Sequence, residues 1–501
     1  KFFFSIQNYN NFKYALKKFK NLINLNNIEN LFLKEFNLSK LNPKILFVDH
    51  HLAHVASSFL TSKFKESAIL SLDGFGDFAS CAIGVANSNE LKIKHKVFYP
   101  HSLGILYQSV TQMLGFKNYG DEYKIMGMSA LGKNKFEKEF NKIISIKDWN
   151  YKLNKNYFSY FDHGLNFNFR NIKPTFPNLY NNNMSKLFGL NKKSIYQQEL
   201  KADIACSLQA TFEKALFSII KYIEKNFKSK NLSYAGGCAM NSLANGKILQ
   251  NTKFNNLSIH SASYDAGGAI GAAAFVYFKH YKKKVVIKSN YLGPKFSNNE
   301  IKKILKEKKL DKKFEVQFKR DDKDIIKIIV NNLKQKKIIG LFKGRLEWGA
   351  RALGNRSILA DPRGKDMKNI INDKIKLREA FRPFAPSILY EHANKWFQFK
   401  KIKEVSNMMQ VLKFKKNVGL IAPAIRHVDN TGRLQTVKKT DNEFYHKLLT
   451  IFFKKTKVPI LLNTSFNVQE PIVCTPADAI NCFKNSKMDY LILENFVITR
   501  K

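Results

Sequence analysis

The chain has 501 residues, 44% of them hydrophobic and 25% charged, with a formal net charge of +46 at pH 7. That length allows two to four domains with real cores, and the composition excludes a disordered chain. The lysines are dispersed in pairs such as Lys17-Lys18, Lys192-Lys193 and Lys308-Lys309, amid abundant Asn, Ile and Phe. All of these residues have A/T-rich codons, so the charge reads as compositional bias, and a nucleic-acid partner is not expected. No apolar run approaches the roughly 18 residues that span a bilayer, and no secretory leader pattern is visible. Five scattered cysteines, Cys81, Cys206, Cys238, Cys474 and Cys482, form no C-x-x-C pair. A disulfide framework is therefore not expected, and a reducing cytoplasm is the expected setting.

In chain order, Lys44–Asp49 (KILFVD) predicts a short strand, followed by the helix-compatible HHLAHVASSFL. Ser67–Leu72 predicts a second strand, Asp73-Gly74-Phe75-Gly76 a tight turn, and Ser80–Val85 the hairpin partner. Ile105–Leu114 predicts a helix closing on Gly115. Residues 149–190 are aromatic and Asn-rich with little periodicity and read as an insert. Glu199–Phe227 predicts a long helix. Leu232–Ala235 predicts a strand running into Gly236-Gly237, and Leu257–His260 another, followed by Asp265-Ala266-Gly267-Gly268 and a small-residue helix. Strand, glycine turn and helix recur, which argues for an α/β fold whose turns leave backbone N–H groups free for phosphate. Lys282–Lys288 is a basic hinge, and two domains, 1–288 and 289–501, are expected.

His50 and His54 lie four apart, so they share one helix face and suit a chelated cation; the plainer role is a cap or core partner. His51 points elsewhere and is free to serve the substrate. Asp265, before a Gly-Gly, fits an N-cap or a carboxylate completing a two-histidine metal site. Asp73-Gly74 and Gly236-Gly237 are turns able to cradle phosphate or to serve structure alone. The segment GRLEWGARALGNRSILADPR (344–363) sets Arg345, Arg351 and Arg356 on a glycine-rich backbone, and Arg382 follows in FRPF. Such arginines suit bidentate capture of phosphate, the alternative being an ion-paired surface. Asn463, Ser465 and Asn467 close an apolar strand with small hydrogen-bonding groups, which read as a pocket rim or a structural turn.

Ten stretches in order resemble the O-carbamoyltransferases that modify antibiotics and nodulation factors. They are VDHHLAHVASSF (48–59), SLDGFGDFAS (71–80), SLGILYQSVTQMLGF (102–116), GDEYKIMGMSALG (120–132), YAGGCAMNSLANGKI (234–248), SYDAGGAIGAA (263–273), the segment 344–363, FRPFAPSIL (381–389), RHVDNTGRLQTV (426–437) and LLNTSFNVQEPIVCTPADAI (461–480). The resemblance implies an actin and sugar-kinase-like (ribonuclease H-like) N-terminal domain and an α+β, YrdC-like C-terminal domain. The C-terminal domain would make carbamoyl-adenylate from carbamoyl phosphate and ATP. The N-terminal domain would hold a divalent metal, iron by the resemblance, and pass the carbamoyl group to a hydroxyl of a small molecule or sugar, with Mg2+ accompanying ATP.

Carried over by motif, the metal ligands would be His50, His54 and Asp265. Asp73, Gly74, Gly236, Gly237, Asn241 and Gly268 would lie along the nucleotide. Arg345, Arg351, Arg356, Arg382, Asn463, Ser465 and Asn467 would form the carbamoyl-phosphate and ATP pocket, and His51, Glu122 and Lys124 would be catalytic. The family's first strand with its His-Asp-Ala-Ser motif, and an acidic segment after it, have no counterpart here, so the N-terminal domain is expected to be incomplete. Two alternatives follow. One is a nucleotide-binding remnant without turnover. The other is threonylcarbamoyl transfer to tRNA, which the positive charge favours and the arginine-bearing second half opposes. No motif names the acceptor or an oligomeric state.

Overall fold

The computed structural model describes residues 28–39, 44–163, 165, 177–190, 197–310, 313–379, 381–399, 404–415 and 417–501. Helix α1 (Ile28–Glu35) buries none of its side chains. Helix α2 (His50–Phe59) begins where the Asp49 carboxylate accepts the Leu52 N–H at 2.9 Å, an N-cap that satisfies an orphan donor. Then come β1 (Ser67–Gly76), β2 (Ala79–Ala86), β3 (Leu91–Phe98) and α3 (Leu103–Met113), the last capped by Ser102 and followed by Gly115 at a φ of 100°. The short helix α4 (Glu122–Met128) precedes the hairpin of β4 (Ile144–Lys147) and β5 (Asn150–Leu153). The long α5 (Gln198–Asn226), β6 (Asn231–Ala235), α6 (Ser242–Asn251), β7 (Asn256–Ser258) and α7 (Ala266–Tyr281) complete the first half.

Its sheet has the order β3-β2-β1-β6-β7: the first three strands are antiparallel neighbours, and β1, β6 and β7 run parallel. The fully buried SAILSL of β1 is what a central strand covered on both faces requires. Helices α2 and α7 pack together at backbone distance because Gly271 leaves the space into which a Cβ would strike the Ala53 carbonyl.

Residues 282–297 carry no helix or strand, and the expected boundary at 288/289 falls among them. The second half is built on β8 (Phe314–Phe318), β9 (Ile339–Phe342), β10 (Arg356–Ala360), β11 (Ala385–Leu389), β14 (Gln435–Val437), β15 (Ile460–Ser465), β16 (Tyr490–Leu493) and β17 (Phe496–Arg500). They form one mixed sheet in the order β14-β11-β15-β10-β9-β16-β17-β8. A small hairpin of β12 (Val411–Lys413) and β13 (Thr431–Arg433) stands apart from it. The amphipathic α8 (Asp322–Lys334) and α9 (Glu443–Thr456) bury Ile326, Ile329, Leu448 and Phe452.

The halves meet at the main chain. A Cβ on Gly246 would overlap the Val411 carbonyl, and one on Gly349 the Ser261 carbonyl. Asn245 Nδ2 donates to Met409 O at 2.9 Å, and Asn407 Nδ2 donates back to Ile259 O at 2.8 Å.

Three expectations change. Residues 44–49 run as coil with Leu46 and Phe47 exposed, because no described strand lies beside them to complete a ladder. Strand β1 continues through Asp73–Gly76, with a register irregularity between Leu72 and Gly76. The turn falls instead at Asp77-Phe78, whose φ angles of 47° and 62° suit a tight hairpin turn. The third parallel strand is Asn256–Ser258 rather than Leu257–His260. Of the insert, residues 166–176 lie outside the described residues.

Candidate metal centre and arginine cluster

The cap at Asp49 sets the phase of α2, so His50 and His54, one turn apart, face the end of β1. His50 Nε2 lies 2.7 Å from Asp73 Oδ2, and His54 Nε2 lies 3.2 Å from the same oxygen. The two imidazole nitrogens are 3.0 Å apart. Asp265 Oδ1 approaches them at 3.7 and 3.4 Å. Asp265 occupies the N-cap position of α7 but makes no side-chain cap bond, so its carboxylate serves the histidines. One ligand atom from each of His50, His54, Asp73 and Asp265 lies within 4.8 Å of the others, an arrangement that could hold a metal ion. Two imidazoles and two carboxylates suit a divalent transition metal.

Electrostatics tie the four together. Burial opposes charge on His54, yet the carboxylates of Asp265 and Asp73 raise its imidazolium to about 9. Burial would raise the Asp73 carboxyl, but hydrogen bonds from His50 and His54 outweigh it and hold Asp73 well below the carboxylate range. Asp73 was expected on the nucleotide turn. Its Oδ2 lies in the histidine group, while its Oδ1 accepts the Gly237 N–H at 2.9 Å. The signal for this placement was an Asp ending a central strand 19 residues after His54.

His51 is fully buried, its Nδ1 2.8 Å from Ser71 Oγ, and burial drops its imidazolium to about 4. A side chain with no accessible surface cannot meet a substrate, so the structure does not bring it to the cleft. Glu122 lies at the start of α4, and burial, then the nearby Asp121, raises its carboxyl to about 7. Tyr119 links it to the metal group: burial and then the charges of Asp265, Asp73 and Glu122 push that phenol to about 12. Lys124 is held in ion pairs with Asp121 at 3.0 Å and Glu379 at 3.9 Å.

Of the predicted glycine turns, Gly236-Gly237 adjoins the metal group through Asp73. Gly236 has a φ of 93°, and a Cβ on Gly237 would stand 2.7 Å from Asp73 Oδ1. The Cβ position of Gly74 contacts Ile105 at 3.7 Å, and that of Gly268 meets nothing within 4 Å. The Asn241 side chain caps α6 and exchanges hydrogen bonds with Gln209 at 2.9 and 3.2 Å.

The second half gathers its own cations, though not all those expected. Arg351, Arg378, Arg382 and Arg433 repel one another: burial first, then the charges of Arg351, Arg378 and Arg382, hold Arg433 well below the guanidinium range. Burial brings Arg351 down to about 10 and, with Arg382 beside it, Arg378 to about 9. Guanidinium nitrogens of Arg351, Arg378 and Arg433 are buried without a hydrogen-bond partner among the described residues, as is the Nε of Arg356.

Lys376 closes a π-helical turn over Asn372–Lys376 and is followed by Leu377 at a φ of 46°. Its ammonium is buried and donates to Ser465 O and Asn467 O at 2.7 Å and to Asn467 Oδ1 at 2.6 Å. The predicted rim at Ser465 and Asn467 thus anchors this lysine, and Asn463 is buried, donating to Ser387 Oγ at 3.0 Å.

Two expected arginines stand apart. Arg356 has no exposed surface, stacks 3.4 Å from the Phe342 ring centre, and donates to the carbonyls of Gly344 and Asn355 at 3.1 and 3.0 Å. Arg345 is exposed and donates to Leu292 O at 2.7 Å. The sequence reading missed Lys376, Arg378 and Arg433. Their signals were a basic KIKLR run just before FRPF and the arginine inside RHVDNTGRLQTV.

Residues 6–274 match the family model described as carbamoyltransferase N-terminus, and residues 330–500 the one described as carbamoyltransferase C-terminus. The chain belongs to the carbamoyltransferase family. As a carbamoyltransferase it is similar to the nodulation protein NolNO of Sinorhizobium fredii, with 33% identity over 95% of this chain and 67% of that one. An uncharacterized protein of Synechocystis is 37% identical over 91% of this chain and 77% of its own length. Nodulation protein U of Rhizobium tropici is 30% identical over 48% of this chain and 39% of its own. Among solved structures, full-length HypF in a phosphate- and nucleotide-bound form gives a TM-score of 0.25 at 16% identity, covering 36% of this chain and 24% of that one, too slight a likeness to bear on the fold. No helix among the described residues is long and apolar enough to cross a membrane.

Proposed function

We propose that this carbamoyltransferase is an O-carbamoyltransferase that draws its group from carbamoyl phosphate, through an ATP-derived carbamoyl-adenylate, and delivers it to a hydroxyl of a small molecule or sugar. The observation that carries the reading is the pairing of two complementary sites: a cluster of buried cations with unpartnered donors and a group of two histidines and two carboxylates. In this reading residues 1–288 form an actin-like domain and residues 289–501 a YrdC-like one.

Water hydrolyses carbamoyl phosphate, breaking its bond to phosphate and leaving carbamate and inorganic phosphate. A carbamate oxygen then attacks the α-phosphorus of ATP, and pyrophosphate departs. Both leaving groups are anions, and Arg351, Arg378, Arg382 and Arg433 supply the charge that binds and orients them, while Lys376 is held by Ser465 and Asn467. The glycines at the end of β1 (Gly74), after β6 (Gly236, Gly237) and in the first turn of α7 (Gly268) let the nucleotide approach the backbone. His50, His54, Asp73 and Asp265 would hold a divalent metal, whose chemistry when bound is to polarise the adenylate phosphate. Glu122 accepts the proton of the acceptor hydroxyl as its oxygen attacks the carbamoyl carbon and AMP leaves. With its carboxyl near 7, this group is partly ionised at neutral pH and basic enough to take a proton.

The test is pyrophosphate release by the purified chain given ATP, with and without carbamoyl phosphate. Release that strictly requires carbamoyl phosphate supports the route. Release from ATP alone, or none from folded protein, removes it.

A further inference from the structure

The first turn of α4 faces both sites at once. Glu122 and Asp73 act on the same neighbour, Tyr119, beside the metal group. The next side chain, Tyr123, lies against the arginine cluster, with the Arg382 guanidinium carbon 4.7 Å from its ring centre. Lys124 reaches Glu379 at 3.9 Å, and Gly127, a turn later, places its Cβ position 3.9 Å from Pro383 Cδ. Residues 123, 124 and 127 therefore form one docking face, seated on the segment that carries Arg378 and Arg382.

The cluster needs such a neighbour. Its arginines repel one another, and Arg382 has one carboxylate partner in Glu379, at 3.3 Å. A second carboxylate would steady Arg382 but would take the place of the anion. An aromatic face attracts a guanidinium through its quadrupole and leaves the N–H donors and the charge unspent.

We propose that Tyr123, contributed by the N-terminal half, is a positioning residue of the arginine pocket: its ring holds the Arg382 guanidinium ready for a phosphate-bearing anion without neutralising it. The inference rests on reading the cluster as a phosphate site.

The full chain and its Tyr123→Phe, Tyr123→Leu and Tyr123→Ala variants are titrated calorimetrically with inorganic pyrophosphate. The KM for carbamoyl phosphate and the kcat of pyrophosphate release are measured alongside. Tyr123→Phe keeps the ring and binds like the parent chain. Tyr123→Leu keeps bulk without the π face, and with Tyr123→Ala it binds pyrophosphate about 3–10-fold more weakly. The same two variants raise KM by a similar factor, while kcat stays within about twofold. Unchanged melting midpoints in Tyr123→Leu exclude a general loss of fold. Parent-like affinity in Tyr123→Leu, or Tyr123→Phe as weak as Tyr123→Ala, overturns the positioning role and leaves the pocket standing. Absence of pyrophosphate binding by the parent chain overturns the pocket and the role together.

Discussion

Two arginines five residues apart illustrate how little residue type decides alone. Each has a buried Nε without a partner, but Arg351 lies inside the cation cluster, whereas Arg356 gives its Nη1 to backbone carbonyls beneath Phe342. Arg351→Ala is therefore expected to abolish carbamoyl-phosphate-dependent pyrophosphate release with little change in melting temperature. Arg356→Ala is expected to cost about 3 kcal/mol of stability, read from denaturant unfolding, by stripping the partners from buried carbonyls. Glu122 makes a pH-dependent case. Its folded carboxyl sits near 7 against an ordinary 4.5, so the native state binds more protons than the unfolded chain between those values. Stability from this group is full below pH 4.5 and is lost as pH rises through 7, on the order of 3 kcal/mol by pH 8. Glu122→Gln removes the titration, so its melting temperature should exceed the parent's at pH 8 and match it near pH 4.5.

At the scale of elements, the pairing of α2 with α7 brings the metal group together. The ligands come from the starts of two helices and the end of β1, and the contact of Gly271 with Ala53 fixes the helix spacing. Gly271→Ala should cost roughly 1–3 kcal/mol through overpacking and weaken metal binding in parallel, because α2 must shift to admit the methyl group. Calorimetric titration with zinc measures the second effect.

Much of this was legible in the sequence. The His50–His54 spacing implied a shared face, and the Gly236-Gly237 turn after β6 lies beside Asp73 of the metal group. Asp73 was read as a turn residue because a strand continuing through Asp-Gly-Phe-Gly breaks local propensity; pairing with β2 overrides it. KILFVD had strand-like alternation but finds no described neighbour to pair with, and strand formation is a property of pairs. Lys376 escaped because its pocket is assembled from β15 and a π-helical turn, nearly 90 residues apart in sequence by the separation of 89 between Lys376 and Ser465.

At the scale of the whole molecule, the proposed function gives the two sheets separate chemistries, and substitutions should separate them. His54→Ala is expected to remove bound metal and acceptor transfer while leaving carbamoyl-phosphate-dependent pyrophosphate release intact. Metal analysis and the release assay on one preparation check both halves of that statement. Loss of release together with metal, from a folded protein, would contradict the division. The high net charge plays no part in this division, beyond the long-range attraction that +46 exerts on anionic substrates.

The joint between the halves has a further consequence. Its contacts set glycine against carbonyl at Gly246–Val411 and Gly349–Ser261, and asparagine amides against the main chain at Asn245–Met409 and Asn407–Ile259. Together with the Tyr123–Arg382 and Lys124–Glu379 contacts, they set the interval between the arginine cluster and the metal group, a ruler cut largely in backbone. On the proposed route, acceptor preference can then drift through substitutions around the metal group without recalibrating the distance a carbamoyl-adenylate would cover from one half to the other.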